Sequence, residues 1–273
     1  MVVAASDFTV QQHWTTYTAE QHAVWRALYE RQIAQLRTHA VSEVLQGLER
    51  LGAVADAIPR FEAVNERLAA ATGWRIVAVP GLIPDEAFYA LLAARRFPVT
   101  VWMRSRAQLD YLVEPDLFHD FFGHVPLLTL PVFARFMQAY GAAGPKAIAH
   151  QAVALLARLY WYTVEFGLIR TESGLKAYGA GILSSHTETE YSLASREPRR
   201  LPFELARVMR TAYRIDTLQR TYFVIDSFEQ LFGAAYDTDF APLYRRLQAM
   251  PAIAPGELLD GERVIPPLVG NLG

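Results

Sequence analysis

Apolar residues recur at helical spacing from the start of the chain. Val24, Leu28 and Ile33, together with Trp25, recur at helical spacing in a segment opening at Thr18-Ala19-Glu20-Gln21. There the threonine oxygen can accept from the first turn while the glutamine reaches back, a capping box that predicts a helix to about Thr38. A second periodic segment runs from Ser42 to a stop at Gly52, and a third from about Arg60 to Gly73. The pattern then changes. Trp74-Arg75-Ile76-Val77-Ala78-Val79 is short, partly β-branched and ends at Pro80-Gly81, as a strand running into a turn does. Residues 85–96 read as helix and Phe97 to Met103 as a second strand. From Pro115 onward helices dominate, at 116–123, 131–140, a long one from about Pro145 to Phe166, then 203–212, 226–235 and 241–249. Short extended pieces lie near 168–170, 176–178 and 220–225. The expectation is a mostly α (α+β) domain with a few short peripheral strands.

With 273 residues and neither internal repeat nor Pro/Gly-rich linker, one large domain is expected. A chain of this length buries roughly 70 to 75 per cent of its unfolded surface, so it needs no disulfide or metal to fold, and any metal is functional. At 52% hydrophobic and 20% charged it is globular rather than disordered. Twenty-six basic against 28 acidic residues give no positive excess, which argues against nucleic acid as a partner. The absence of cysteine excludes disulfides, iron–sulfur clusters and thiolate metal sites, leaving His, Asp and Glu as possible ligands. The opening Met-Val-Val-Ala-Ala-Ser-Asp carries no positive segment before its apolar residues, and no apolar run approaches about 18 residues. The chain is therefore expected to be cytoplasmic, without a membrane partner.

The densest chemical signal lies between Glu114 and Pro126, where His119 and His124 stand among acids and aromatics. Five residues along an unbroken α-helix set two side chains about 140° apart, too far for one ion. Gly123 and Pro126 are expected to end the helix and let His124 swing back. A third ligand is needed. Glu165 qualifies, because its neighbours Val164, Phe166 and Leu168 are apolar and a carboxylate there is costly unless paired with a cation. The plainer readings are imidazoles bonded to backbone carbonyls and a carboxylate bridging to an arginine. Two His and one carboxylate suit an octahedral iron with three open positions, and also a zinc ion that activates water. Spacing leaves both open.

Three blocks carry a family resemblance: EPDLFHDFFGHVPLL at 114–128, YWYTVEFGL at 160–168 and KAYGAGILSS at 176–185. In order and spacing they resemble the pterin-dependent aromatic amino acid hydroxylases, with weaker similarity from about Val79 to Asp226. The resemblance implies the catalytic-domain fold of that family and a mononuclear Fe(II) held by His119, His124 and Glu165. It also implies tetrahydrobiopterin or a related tetrahydropterin as cofactor and dioxygen as co-substrate. By the same resemblance Arg104 grips the amino-acid carboxylate and Asp116 orients that arginine. Phe88 stacks on the pterin, the loop with Leu82, Ile83 and Asp85 meets its edge, and Asp120 and Tyr160 lie near it. Pro115, Trp161, Phe166, Gly181 and Ser184 surround the substrate, Ser184 also supports the histidines, and Tyr213 covers the mouth.

By the same resemblance Trp161 stands where members acting on phenylalanine or tyrosine carry tryptophan and those acting on tryptophan a smaller aromatic, which implies a single-ring substrate, and Ile215 stands where members acting on tyrosine place an acid. The implied reaction is therefore L-phenylalanine to L-tyrosine. Its alternatives are another ring position, tryptophan as substrate, or a zinc-dependent hydrolase built on the same triad. Leu112-Val113 departs from a Thr-Pro pair in the animal members. The expected organisation is one catalytic domain over 1–273, with a helical extension at about 1–73 and a core at about 74–250. No regulatory or tetramerisation domain is expected, and a monomer follows.

Overall fold

The helix starts and stops written in the sequence are realised in the computed structural model, which describes residues 8–110 and 114–268. Helix α1 (Ala19–His39) opens on Thr18, whose hydroxyl accepts from Gln21 N–H at 3.2 Å while the Gln21 side chain accepts from Thr18 N–H at 2.9 Å. Helices α2 (Ser42–Leu51) and α3 (Phe61–Thr72) end at Gly52 and Gly73, both left-handed, with φ of 65° and 75°. Strand β1 (Arg75–Val79) leads into α4 (Asp85–Ala93) and β2 (Arg96–Thr100), which pairs in parallel with β1. Arg95, at φ 58°, makes the reversal into β2, so α4 ends before residue 96, and β2 pairs with β1 only as far as Thr100, short of the expected Met103.

The expected long helix from Pro145 to Phe166 is not formed. Instead α5 (Pro131–Ala149) passes straight through Pro145. Proline removes one backbone hydrogen bond, but α5 is locked against α4 on its other side. There Gly141 and Gly144 permit so close an approach that an added Cβ would lie 2.5 Å from Ala93 N and 2.1 Å from Tyr89 Cγ. The chain breaks later, at His150-Gln151-Ala152, with Gln151 at φ 52°. Helix α6 (Val153–Tyr160) follows and runs directly into a π turn, Trp161–Glu165.

The remaining elements are β3 (Gly167–Thr171), β4 (Gly174–Ala177), α7 (Ala180–Leu183), α8 (His186–Ala194), β5 (Arg199–Pro202), α9 (Leu205–Arg210), β6 (Thr221–Ile225), α10 (Phe228–Tyr236) and α11 (Phe240–Gln248). Four strands form one sheet in the order β4-β3-β6-β5, with β3 and β4 antiparallel and the other pairs parallel. Strand β6 is buried at all five positions. Helix α8 and strand β5 have no counterpart in the sequence reading. The inward face of α8 carries Glu188, Thr189 and Ser192 beside Leu193, so no apolar period marks it. β5 is an edge strand ending in proline, a residue that lowers any strand signal. The architecture is mostly helical with short strands, as expected. Among the described residues no helix is long and apolar enough to cross a membrane.

The first helix supports the histidine segment from below. Trp25 is fully buried, with its ring centroid 5.4 Å from Phe118 and 5.9 Å from Phe121, and Tyr29 stands 5.5 Å from Phe122. Gln32, also buried, donates to the Leu183 carbonyl at 2.7 Å and so fastens α1 to the end of α7.

Candidate metal and substrate site

Both segments that carry candidate ligands are π turns, His119–His124 and Trp161–Glu165. In a π turn hydrogen bonds run from i to i+5, so residues five apart lie above one another rather than 140° apart. Phe166 N–H donates to Trp161 C=O at 2.8 Å in this pattern. The histidines therefore converge, but not for the expected reason. Gly123 does not adopt a left-handed conformation. Its absent side chain instead admits α7, because a Cβ there would sit 2.8 Å from Ala180 Cβ and 2.9 Å from Ala180 O.

The two Nε2 atoms lie 3.4 Å apart, His124 Nε2 is 3.2 Å from one Glu165 oxygen and His119 Nε2 is 3.5 Å from the other. Separations of 3.2–3.5 Å leave room for one ion among these donors, since N and O ligands ordinarily stand about 2.0–2.2 Å from a metal. Among the described residues this is the one group of three or more such side chains that could hold a metal. The Ser184 hydroxyl donates to Ala180 C=O at 2.9 Å, so its oxygen accepts from His119 Nδ1–H at 2.8 Å. That bond fixes the tautomer with the lone pair on Nε2, facing the other donors. His124 is held instead by packing between Phe97 and Tyr160, at centroid distances of 5.0 and 6.0 Å. Ser184→Ala should therefore weaken metal affinity by about 10–100-fold with the fold intact, as a competition titration against a chelator would measure.

Burial works against the charge on Glu165, but the two imidazoles more than offset it and hold the carboxyl well below its usual range. Burial also works against a charged His119, yet the Glu165 carboxylate and, behind it, Asp120 and Asp116 raise its pKa above the ordinary value of 6.5. A proton must leave His119 before a metal can bind. Metal affinity is therefore expected to fall as pH drops through that raised pKa and to level off above it, with proton release on binding. Calorimetric titration with Co(II) between about pH 6 and 8.5, in buffers of different ionisation enthalpy, measures both.

Arg104 and Asp116 form a buried, two-pronged ion pair. Nε donates to Oδ2 and Nη2 to Oδ1, both at 2.8 Å, and the side chains are 6% and 0% exposed. Asp116 also accepts from the backbone N–H of Arg104 and of His119, each at 3.0 Å, so it ties the arginine to the first metal-ligand residue. Leu117 N–H donating to Trp102 C=O at 2.9 Å closes the same connection. Pro115, half buried, directly precedes this anchor.

On one side of the triad Phe88 and Tyr160 meet at 5.5 Å, edge to face, and Tyr160 reaches His124. Asp120 Oδ2 accepts from Thr100 N–H at 2.8 Å, and burial pushes its carboxyl up. Trp161 stacks on Tyr213, with centroids 4.2 Å apart and 12° between planes, and lies 4.7 Å from Phe166. Gly181 lets Phe166 in, since a Cβ there would come within 2.6 Å of the ring. Ile83 is half buried on the loop before α4, and Asp85 is exposed at the start of that helix. Leu82 and Ile215, at 73% and 77% exposed, point into solvent and join neither aromatic group. Leu112 and Val113 lie outside the described residues.

The sequence reading missed Gln219, Glu188 and Tyr222. Gln219 accepts from the Trp161 indole N–H at 3.0 Å, and its own backbone N–H donates to Glu188 at 3.2 Å. Tyr222 O–H donates to the same Glu188 oxygen in a short hydrogen bond. No local pattern marks residues whose partners lie 31 and more positions away.

The chain that carries this site belongs to a known class of enzyme. Residues 6–237 match the family described as biopterin-dependent aromatic amino acid hydroxylase, and the chain belongs to that family. It is 58% identical over 259 residues to the phenylalanine-4-hydroxylase of Ralstonia nicotianae, covering 95% of this chain and 82% of that protein. Identity to the phenylalanine-4-hydroxylase of Chromobacterium violaceum is also 58%, over 96% of this chain and 88% of that one. A crystal structure of the C. violaceum phenylalanine hydroxylase bound to cobalt superposes with a TM-score of 0.94 at 56% identity, covering 96% of this chain and 94% of that one.

Proposed function

We propose that this chain hydroxylates L-phenylalanine to L-tyrosine, with Fe(II) at His119, His124 and Glu165, a tetrahydropterin, and dioxygen as co-substrate. The observation that carries the reading is the convergence of two imidazoles and the two oxygens of one carboxylate, with separations of 3.2–3.5 Å, beside the aromatic rings of Tyr160 and Trp161. A set of two neutral imidazoles and one carboxylate suits a divalent iron with positions left for other groups. When bound, the iron and the pterin together supply activated oxygen. Everything else is the work of this chain's side chains.

Ser184 keeps the proton on His119 Nδ1, so Nε2 is ready to ligate. The Arg104 guanidinium, held in place by Asp116, presents a fixed fork whose remaining N–H groups suit the substrate carboxylate. Trp161 and Phe166 supply a flat apolar wall for the substrate ring, and Tyr213 stacks behind Trp161. Phe88 and Tyr160 offer flat faces to a pterin on the other side. The same aromatic walls keep water from the reacting ring.

The test is one mixture of enzyme, Fe(II), a synthetic tetrahydropterin and phenylalanine, prepared without oxygen and then opened to air. Tyrosine, the para-hydroxylated product, should form only when all four components and oxygen are present. A meta or ortho product, a preference for tryptophan, or turnover on zinc without oxygen and pterin would each overturn the reading.

A further inference from the structure

Trp161 occupies the same π turn as Glu165, so whatever orients its indole shapes the space beside the metal donors. Its ring is held on three sides. Tyr213 covers one face, Phe166 stands on another, and Gln219 takes the indole N–H. Gln219 is 4% exposed and its amide is fully engaged. The oxygen accepts from Trp161, while the nitrogen donates to Arg214 C=O at 2.9 Å and Thr217 C=O at 3.2 Å. One side chain thus joins the indole to the 213–218 loop that carries Tyr213.

The clamp is itself anchored. Glu188, buried on α8, accepts from Gln219 N–H and from the Tyr222 hydroxyl of β6. Helix α8 follows at once on Ser184, the partner of His119. The indole wall and the Ser184 support of His119 are therefore tied to one stretch of chain, from Ser184 to Glu188. A buried amide with all its groups paired has one favoured orientation, since any other leaves buried polar groups unpaired.

Building on the proposed reaction, in which Trp161 borders the substrate ring, we infer that Gln219, anchored by Glu188, is a positioning residue. It fixes the Trp161 indole and so maintains the preference for a one-ring over a two-ring amino acid. Without it the indole is free to turn, the wall recedes, and a bulkier ring gains entry.

The test is a double-mutant cycle on the iron-loaded protein. Gln219→Met keeps the volume and removes the acceptor. It is expected to raise the KM for phenylalanine and to narrow the phenylalanine-to-tryptophan ratio of kcat/KM, each by about 5–10-fold, with kcat changed far less. In a Trp161→Phe background, where there is no indole N–H to hold, the same change should alter either quantity by less than about twofold. Gln219→Glu retains the acceptor for the indole but loses both donors to the loop carbonyls, so it should recover only part of the ratio. Independently of activity, the ¹⁵N spectrum of the five tryptophan indoles should lose one resonance in Trp161→Phe, and that resonance alone should move substantially in Gln219→Met.

Equal effects of Gln219→Met in both backgrounds, or an unchanged substrate ratio with an unmoved indole resonance, would overturn the inference. If the wild-type enzyme makes no tyrosine at all, it is the proposed reaction that fails. The indole spectrum then still reports whether Gln219 holds Trp161.

Discussion

Glu165→Gln is expected to abolish tight metal binding and tyrosine formation together. The substitution keeps the shape of the side chain but removes the charge that offsets a dication and that raises the pKa of His119. The loss should far exceed the roughly 10–100-fold that follows removal of a hydrogen-bond partner behind a ligand, because here a donor itself loses its charge. Glutamine fits the same space, so the fold should persist, with a melting temperature of the metal-free protein within a few degrees of wild type. His119→Ala should give the same loss of metal and product. Metal content after gel filtration and a tyrosine assay measure both effects, and full activity in either variant would refute the ligand assignment.

Arg104→Ala is expected to damage stability and substrate binding at once. It strands Asp116, completely buried, without its guanidinium. Breaking one side of a buried ion pair costs about 3–5 kcal/mol, which for a chain of this size lowers the melting temperature on the order of 10 °C. Because Asp116 also accepts from His119 N–H, metal affinity should fall as a secondary effect. Arg104→Lys separates the two roles. It keeps a charge for Asp116 but not a two-pronged fork, so it should recover more of the stability than of the substrate KM. Thermal unfolding and steady-state kinetics on both variants decide this. A Lys variant with wild-type KM would show that Arg104 supports the structure without gripping the carboxylate.

Much of this could be read from the sequence wherever the signal was local. The Thr18 capping box and the glycine stops at 52 and 73 are short-range chemistry, and the structure realises each of them. His119, His124 and Glu165 stood out because imidazoles and a carboxylate among apolar neighbours need a reason to be there. How they meet was not legible. A π turn has no residue signature of its own, and it forms here in segments packed tightly against α7, where Gly123 and Gly181 remove the side chains that would keep the elements apart. Pro145 misled for the opposite reason. Its local meaning is a boundary, but packing of α5 on α4 overrides it, and the real break comes at Gln151. Gln219 and Glu188 are ordinary polar residues on a loop and a helix, and their importance lies wholly in partners distant in the chain.

The central claim is that three side chains hold one redox-active metal on which hydroxylation depends. The most direct measurement strips the protein with a chelator and restores it by anaerobic titration with Fe(II) or Zn(II), following bound metal and tyrosine formed with tetrahydropterin and oxygen. The account predicts that one Fe(II) per chain restores activity in proportion to occupancy, and that zinc fills the same site without restoring it. Activity that survives stripping, or that returns equally with zinc, would contradict it.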